Sequence, residues 1–529
     1  MAEAVAPAVA GMNGQAGSEV RQQTSIRWRH WGGVLLAFLL GFAAAIVLLS
    51  ATDALISTDD YYHTRISAEL IEQGTLRLDF PWLPLTILSP EAFVDHHLLY
   101  HVYLAPFVQW GGIPGAKLAQ ALVVGGMFAA FWLLLRTLEV RLPWLWLIAL
   151  LGVSTPFLYR MLMVRTQAAA VLVLFLALYA LFSRRYRWLA PIAFAFTWLY
   201  NGFILLPVFA GLYVLSAWLT DRQWVWRPLI YTAIGVAAGL VINPYFPQNI
   251  TFILDHLGEK VDVAANIRVG SEWYPYTTEA LLDNSLGMLL ALAAGMLAPS
   301  LRKTRRDGAT GRDRVETTLL LTALVTLYMT FESRRFIEYS PAFALLFCAT
   351  ALGREGIAWD RLLPVFPGRR LVARAFPLMI ALPILLLAGW TMTSVRQDIE
   401  GVKDADYMAG AAAWLQANTA PGELVFQTDW DDFTYLFYHN THNIYLVGLD
   451  PTYLQVANPT LWNLWVPITQ GMVERPSVLI RDSFGASLVV SDTDHVAFAQ
   501  SAENDPNLEL VYRDSYSLIW QIKDAQPES

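Results

Sequence analysis

Eleven separate apolar runs, divided by charged or proline-bearing loops, constrain this chain more than any single motif. They start at Trp31, Lys117, Pro143, Gln167, Trp188, Gly202, Pro228, Ser285, Thr317, Pro341 and Ala375. Each is long enough, or nearly so, to cross a hydrocarbon core. Backbone in lipid must satisfy its own hydrogen bonds, so such runs predict helices. With 56% hydrophobic and 15% charged residues among 529, the chain is far more apolar than a soluble protein of this length. The expected fold class is a mainly α polytopic membrane protein of about eleven transmembrane helices.

Loop charge orients the spans. Arg21, Arg27 and Arg29 precede the first one, and Arg184, Arg185 and Arg187, then Arg302, Lys303, Arg305 and Arg306, then Arg369, Arg370 and Arg374 share its side if the spans alternate. That side is read as cytoplasmic. The loops 51–116 and 244–284, and everything after Arg396, then face outward. Arg334 and Arg335 lie outside, against the trend, where a basic pair can meet an anion. Three regions follow: a disordered cytoplasmic tail over 1–30, a membrane domain over 31–394, and an extracytoplasmic domain over 395–529. The last contains short β-type runs at Leu424-Val425-Phe426, Asn443 to Val447 and Ser487 to Val490, helix-like stretches such as Tyr407 to Gln416, and a closing hairpin from Leu510 to Ile522. It reads as a small outward α/β domain. The late start of the apolar core argues against a cleaved signal peptide.

The single cysteine, Cys348, excludes disulfides within the chain and thiolate metal clusters. The net charge of -8, with no basic patch interleaved with aromatics, gives no sign of nucleic-acid binding.

Charge concentrates at the edges of the spans. After the first run comes Thr58-Asp59-Asp60-Tyr61-Tyr62-His63-Thr64-Arg65, an acidic pair at the start of a helix predicted over 60–74, with Ile66, Leu70 and Ile71 on one face. Paired carboxylates at a membrane edge can act as a base, hold a cation or grip a polar substrate; a solvated loop also tolerates them. Later in the same loop, Asp95-His96-His97 is followed by His101. Histidines four apart share a helix face, but without a third ligand they serve equally as hydrogen-bonding groups lining a polar cavity.

These segments resemble the motifs of C-type (GT-C) polytopic membrane glycosyltransferases, and most of all the catalytic subunits of oligosaccharyltransferases. The run from Asp59 to Arg65 is similar to the family's opening motif, and Thr197-Trp198-Leu199-Tyr200-Asn201-Gly202-Phe203 to a junction between two central spans. Gly270-Ser271-Glu272-Trp273-Tyr274-Pro275 resembles its Ser-x-Ser-Glu-x-x-Pro loop motif, and Ser333-Arg334-Arg335-Phe336-Ile337-Glu338 with Pro341 resembles its arginine-bearing span start. Two departures stand out. The family's second outer loop carries an acidic motif, whereas Tyr159 to Gln167 has no carboxylate. The Trp-Trp-Asp-Tyr-Gly signature of peptide-reading oligosaccharyltransferases is matched only by Asp429-Trp430-Asp431-Asp432-Phe433.

The resemblance implies a hexosyl- or pentosyltransferase that moves a sugar from a polyprenyl-phosphate-linked donor to a glycan, lipid or protein acceptor at the outer face of a bacterial or archaeal cell membrane, with inversion. Asp59 or Asp60 would accept the acceptor's proton, Glu272 would position the acceptor or a cation, and Arg334 or Arg335 would bind the donor phosphate. His63, Arg65, Asp95, His96, His97 and Tyr274 are further candidate contacts. No cofactor is required by the residues; a divalent cation, magnesium or manganese, is the one option, with Asp60, Asp95, His97 and Glu272 as its candidate ligands. The missing acidic motif predicts a weak or absent site, unless Asp95, His96 or His97 substitutes for the missing ligand. An oligosaccharyltransferase acting on protein asparagine is the nearest alternative. A transporter or lipid flippase would place its ionisable groups in mid-span, whereas these lie at span ends.

Overall fold

In the computed structural model, residues 31–254, 271–301, 313–354 and 369–523 are described. The tail over 1–30, the basic cluster from Arg302 to Arg306 and Gly270 lie outside them, as does part of the loop 244–284. The membrane region contains helices α1 (Trp31–Leu49), α2 (Thr58–Gln73), α3 (Leu98–Thr137), α4 (Pro143–Gly152), α5 (Thr155–Leu162), α6 (Gln167–Phe182), α7 (Leu189–Leu199), α8 (Leu205–Asp221), α9 (Arg227–Val241), α10 (Thr278–Leu301), α11 (Arg314–Glu332), α12 (Ser340–Gly353) and α13 (Arg369–Glu400).

Every one of the eleven apolar runs falls on one of these helices. Length divides them. Five helical stretches among the described residues, Trp31–Leu49, Leu98–Thr137, Asn201–Asp221, Thr278–Ser300 and Arg314–Glu332, are long and apolar enough to cross a membrane, and α4 with α5, bent by 89°, makes a sixth if counted as one span. The expectation of about eleven full spans is therefore not met by length alone. Helices α6 and α12, with 16 and 14 residues, are shorter and packed within the bundle, α12 buried almost throughout. By contrast α1 exposes Leu35, Leu36 and Leu39, and α13 exposes Leu382, Leu385, Leu386 and Trp390, as lipid-facing helices do.

After α13 the chain forms a five-stranded sheet in the order β2-β1-β3-β5-β4, from strands β1 (Leu424–Gln427), β2 (Ile444–Tyr445), β3 (Leu488–Asp492), β4 (Leu508–Arg513) and β5 (Ser517–Ile522). β1 pairs parallel with β2 and β3, and β5 pairs antiparallel with β3 and β4. The expected hairpin is present, and the expected strand around Asn443 is shorter than its apolar run. Helices α14 (Ala409–Asn418) and α15 (Asp432–His439) pack beside the sheet.

This domain is welded to the loop after α1. The ring of Tyr61 on α2 meets Tyr435 at 4.7 Å and Tyr438 at 5.2 Å on α15. Such aromatic pairs contribute about 0.5–1.5 kcal/mol each beyond the area they bury. Backbone bonds reinforce the contact: Tyr445 N–H donates to the Trp82 carbonyl at 2.8 Å, and the Trp82 indole donates to the Thr441 carbonyl at 2.9 Å. The sheet domain and the loop thus share one end of the helical bundle, and the cavity described next opens between them.

Candidate active site

Helix α2 starts where it does because Ser57 is extended and Asp59 and Asp60 occupy the first turn, where negative charge favours the helix dipole; it ends at Gly74, whose φ of 65° suits a residue without a side chain. Ile66 and Leu70 are buried as expected, while Ile71 is exposed. This first turn delivers the two carboxylates to different places. Asp59 borders a cavity of about 430 Å³, and Asp60 points into the protein.

Asp60 has no exposed surface, and neither of its carboxyl oxygens makes a well-formed hydrogen bond. Burial pushes its pKa up from the usual 3.8 to about 7, and the Val164 and Ile56 amides and the Arg165 charge offset only part of that cost.

Four further segments complete the cavity. The break between α4 and α5 is set by Ser154, whose hydroxyl accepts from the Phe157 amide, and by Pro156 in the first turn of α5. It places Arg160 on α5 and Arg165 in the turn after it. Arg165 Nη2 lies 2.9 Å from Asp59 Oδ2. Glu272 sits in a 3₁₀ turn, Ser271–Trp273, pinned by the Ser333 hydroxyl donating to its carbonyl at 2.9 Å and by the Arg334 amide donating to the Tyr274 carbonyl at 3.0 Å. A second 3₁₀ turn, Arg334–Glu338, carries Arg335 into the cavity.

There the charges interlock. Arg160 Nη1 donates to Glu272 Oε2 at 3.1 Å, and Arg335 Nη1 donates to Glu272 Oε1 at 3.0 Å while its guanidinium lies 4.8 Å from the Trp273 ring centre. Arg160 also reaches the buried Glu338 at 3.4 Å. Burial alone would raise the Glu272 pKa, but the charges of Arg335, Arg165 and Arg160 outweigh it and hold the carboxyl far below the usual range. Glu272 is therefore a permanent anion and too weak a base to remove a hydroxyl proton.

A histidine chain forms the adjoining wall. Asp95 Oδ2 lies 2.7 Å from His101 Nδ1, and His101 Nε2 lies 2.7 Å from His63 Nδ1. If His101 is the neutral tautomer donating from Nδ1 to the Asp95 carboxylate, its Nε2 accepts from His63 Nδ1–H and the His63 lone pair is on Nε2. Asp95 Oδ1 also accepts from the His97 amide at 2.9 Å. His63, His96 and His97 border the cavity, and burial, aided by the neighbouring imidazoles, lowers the pKa of His63 and His97 so that both are neutral. The third imidazole that sequence spacing did not reveal is His63, from a different helix: ring nitrogens of His63, His97 and His101 all lie within 4.8 Å of one another.

Other expected site residues lie elsewhere. Arg65 pairs with Glu69 and Glu72 along α2. Arg334 bonds the Pro275 carbonyl at 3.1 Å and lies over the Tyr276 ring, so it braces the loop and does not border the cavity. Tyr274 is partly exposed, and its carbonyl takes the Arg334 amide. The cation ligands expected together, Asp60, Asp95, His97 and Glu272, do not form one cage: Asp60 is buried, Asp95 is committed to His101 and His97, and Glu272 to two arginines. Conversely, Arg160, Arg165, Trp430 and Asp431 border the cavity without having been assigned a role from sequence. Asp431 is raised to about 7 by burial and by the charges of Asp429 and Asp59.

Broken apolar helices at one end of which carboxylates and arginines converge, capped by a small α/β domain, define a GT-C-type membrane fold. Solved structures with that fold are similar over nearly the whole chain. The oligosaccharyltransferase of Archaeoglobus fulgidus in its apo form aligns with 90% of this chain and 71% of its own, at a TM-score of 0.60 and 14% identity. The same organism's AglB, in complex with an inhibitory peptide and a dolichol-phosphate, gives 0.60 over 91% and 72% at 15% identity. ArnT of Cupriavidus metallidurans bound to undecaprenyl phosphate gives 0.55 over 92% and 98% at 16% identity. No protein-family model matches the chain, and neither does any curated protein sequence.

Proposed function

We propose that this protein is an inverting membrane glycosyltransferase that moves a sugar from a polyprenyl-phosphate-linked donor to an acceptor hydroxyl. The observation that carries this reading is the convergence of Asp59, Glu272 and Arg335, from three distant stretches of sequence, on one cavity at the end of an apolar helical bundle. A lipid donor reaches such a site from the bilayer, and the polar cavity admits its headgroup. Arg335 holds the phosphate oxygens through its guanidinium N–H groups. Arg165 holds Asp59 by Oδ2, which orients Oδ1 to take the acceptor's proton. In the transfer the acceptor oxygen bonds to the anomeric carbon as the bond from that carbon to the phosphate oxygen breaks. The electron pair leaves with the phosphate, and the proton goes to Asp59. Glu272, an anion at all working pH values, orients Arg160 and Arg335.

Both dolichol-phosphate and undecaprenyl phosphate occur in structures that share this fold, in keeping with a lipid phosphate ligand. Transfer to protein asparagine has less support: the loop that carries a second acidic motif in oligosaccharyltransferases carries Arg160 and Arg165 here. The outward-facing active site, argued from loop charge, and the cell-membrane location, which the family resemblance implies, belong to this proposal. Mass spectrometry of cell-envelope glycolipids and glycoproteins from cells with and without the protein tests it. A sugar missing from one product, and restored by wild type but not by Asp59→Asn, is the expected result; identical profiles would remove the assignment.

A further inference from the structure

A cage for a divalent cation needs several anionic oxygens with lone pairs to spare, and a carboxylate pair facing a phosphate is its usual beginning. In this cavity three of those oxygens are already engaged by arginines. One oxygen of Asp59 and both oxygens of Glu272 already face guanidinium nitrogens at 2.9–3.1 Å. A dication between them would sit among the fixed charges of Arg160, Arg165 and Arg335. Two of those charges come from residues 155–166, a stretch without a single acidic side chain. The other acidic groups near these arginines are Asp60, buried behind Arg165 and outside the cavity, Glu338, behind Arg160, and Asp431 and Asp450 on the far wall. Asp450 is occupied as well, its Oδ1 accepting from the backbone and hydroxyl of Thr452.

Arg165 has the most capacity left, since Arg160 already donates through Nη1 and Nη2 to Glu272 and through Nη2 to Glu338. A guanidinium offers five N–H donors, and Arg165 uses Nη2 for Asp59. Planar forks of this kind match a phosphate's oxygens and, unlike a bound ion, need no ligand cage. Resting on the lipid-phosphate donor proposed above, we infer that Arg160 and Arg165, together with Arg335, stand in for a divalent cation, so that donor phosphate is bound and its leaving charge neutralised without metal. The imidazole group of His63, His97 and His101 does not substitute for that cage. His63 and His101 are bonded to each other at 2.7 Å, and imidazole nitrogens favour zinc-like ions over the oxygen-seeking ions that serve phosphates.

Binding separates this inference from the enzyme assignment. Detergent-solubilised full-length protein is dialysed against EDTA and 1,10-phenanthroline, checked for residual metal by plasma mass spectrometry, and titrated with undecaprenyl phosphate by native mass spectrometry, with and without added manganese. Expected is an apparent Kd that is the same in both conditions, and weakened roughly tenfold or more in Arg165→Lys and Arg160→Lys, which keep the charge and lose the fork. Lysine preserves the ion pairs with Asp59 and Glu272, so folding is checked by the thermal unfolding of each variant. Binding that appears only when manganese or a retained zinc is present overturns the inference and leaves the donor assignment standing. Metal-free binding unchanged in both folded lysine variants also overturns it, since the phosphate then rests elsewhere. No binding in any condition removes the lipid-phosphate donor itself.

Discussion

Replacing Asp60 with asparagine separates the two adjacent carboxylates, because only one of them faces the cavity. Asp60 is fully buried, and its pKa stands at about 7 against the usual 3.8. At 1.36 kcal/mol per pKa unit, that difference is worth about 4 kcal/mol. Between roughly pH 4 and 7 the folded protein holds a proton that the unfolded chain has released, so stability falls as pH rises through this window and stops falling above it. The asparagine side chain of the variant carries no such proton and keeps nearly the same shape. Equilibrium unfolding in mild detergent, followed at pH 4.5 and pH 8, should show Asp60→Asn gaining about 3 kcal/mol on wild type between the two values. Asp431 also titrates near 7, but it is common to both proteins and cancels in the difference. Transfer activity of the variant should stay within about tenfold of wild type, since Asp60 borders no substrate space. Parallel stability profiles, or a variant less stable than wild type at pH 8, would show that the Asp60 carboxyl is solvated or bonded in a way the structure does not contain.

Asp59→Asn should lower turnover by about 10²–10⁴-fold with donor affinity little changed, measured in single-turnover assays with a lipid-linked sugar; near-normal turnover refutes the base role. Arg335→Lys should weaken lipid phosphate binding about tenfold, or roughly 1.4 kcal/mol, whereas Arg334→Lys should not, because Arg334 braces the Pro275 carbonyl and does not border the cavity; equal effects would reverse the assignment of the pair. Asp95→Asn should cost about 1.5–3 kcal/mol of stability by removing the carboxylate that accepts from His101, and should disturb the His63 ring seen by ¹⁵N NMR of labelled histidine. An unchanged His63 spectrum would break the proposed chain.

Much of the scaffold was legible in the chain because hydrocarbon imposes local rules. In hydrocarbon an apolar run must satisfy its own backbone and so be helical, and all eleven runs fall on helices; the short β-type runs after residue 395 marked the α/β domain with its closing hairpin. The number of full spans was less legible: α6 and α12, with 16 and 14 residues, fall short of the length that identifies a span, and lipid and protein interior select the same apolar side chains. The candidate site residues followed the same division. Asp59, Glu272 and Arg335 stood out because charge at a membrane edge is costly without a use, and the resemblance to known motifs ordered them. Only the tertiary structure decided that Asp59 faces the cavity and Asp60 the interior, because adjacent helix positions differ by about 100° around the axis and local sequence does not say which side is solvent. It alone brought His63 to His101 across 38 residues and Arg160 to Glu272 across 112. Such pairings depend on where whole helices pack, and that is set by contacts distant in sequence.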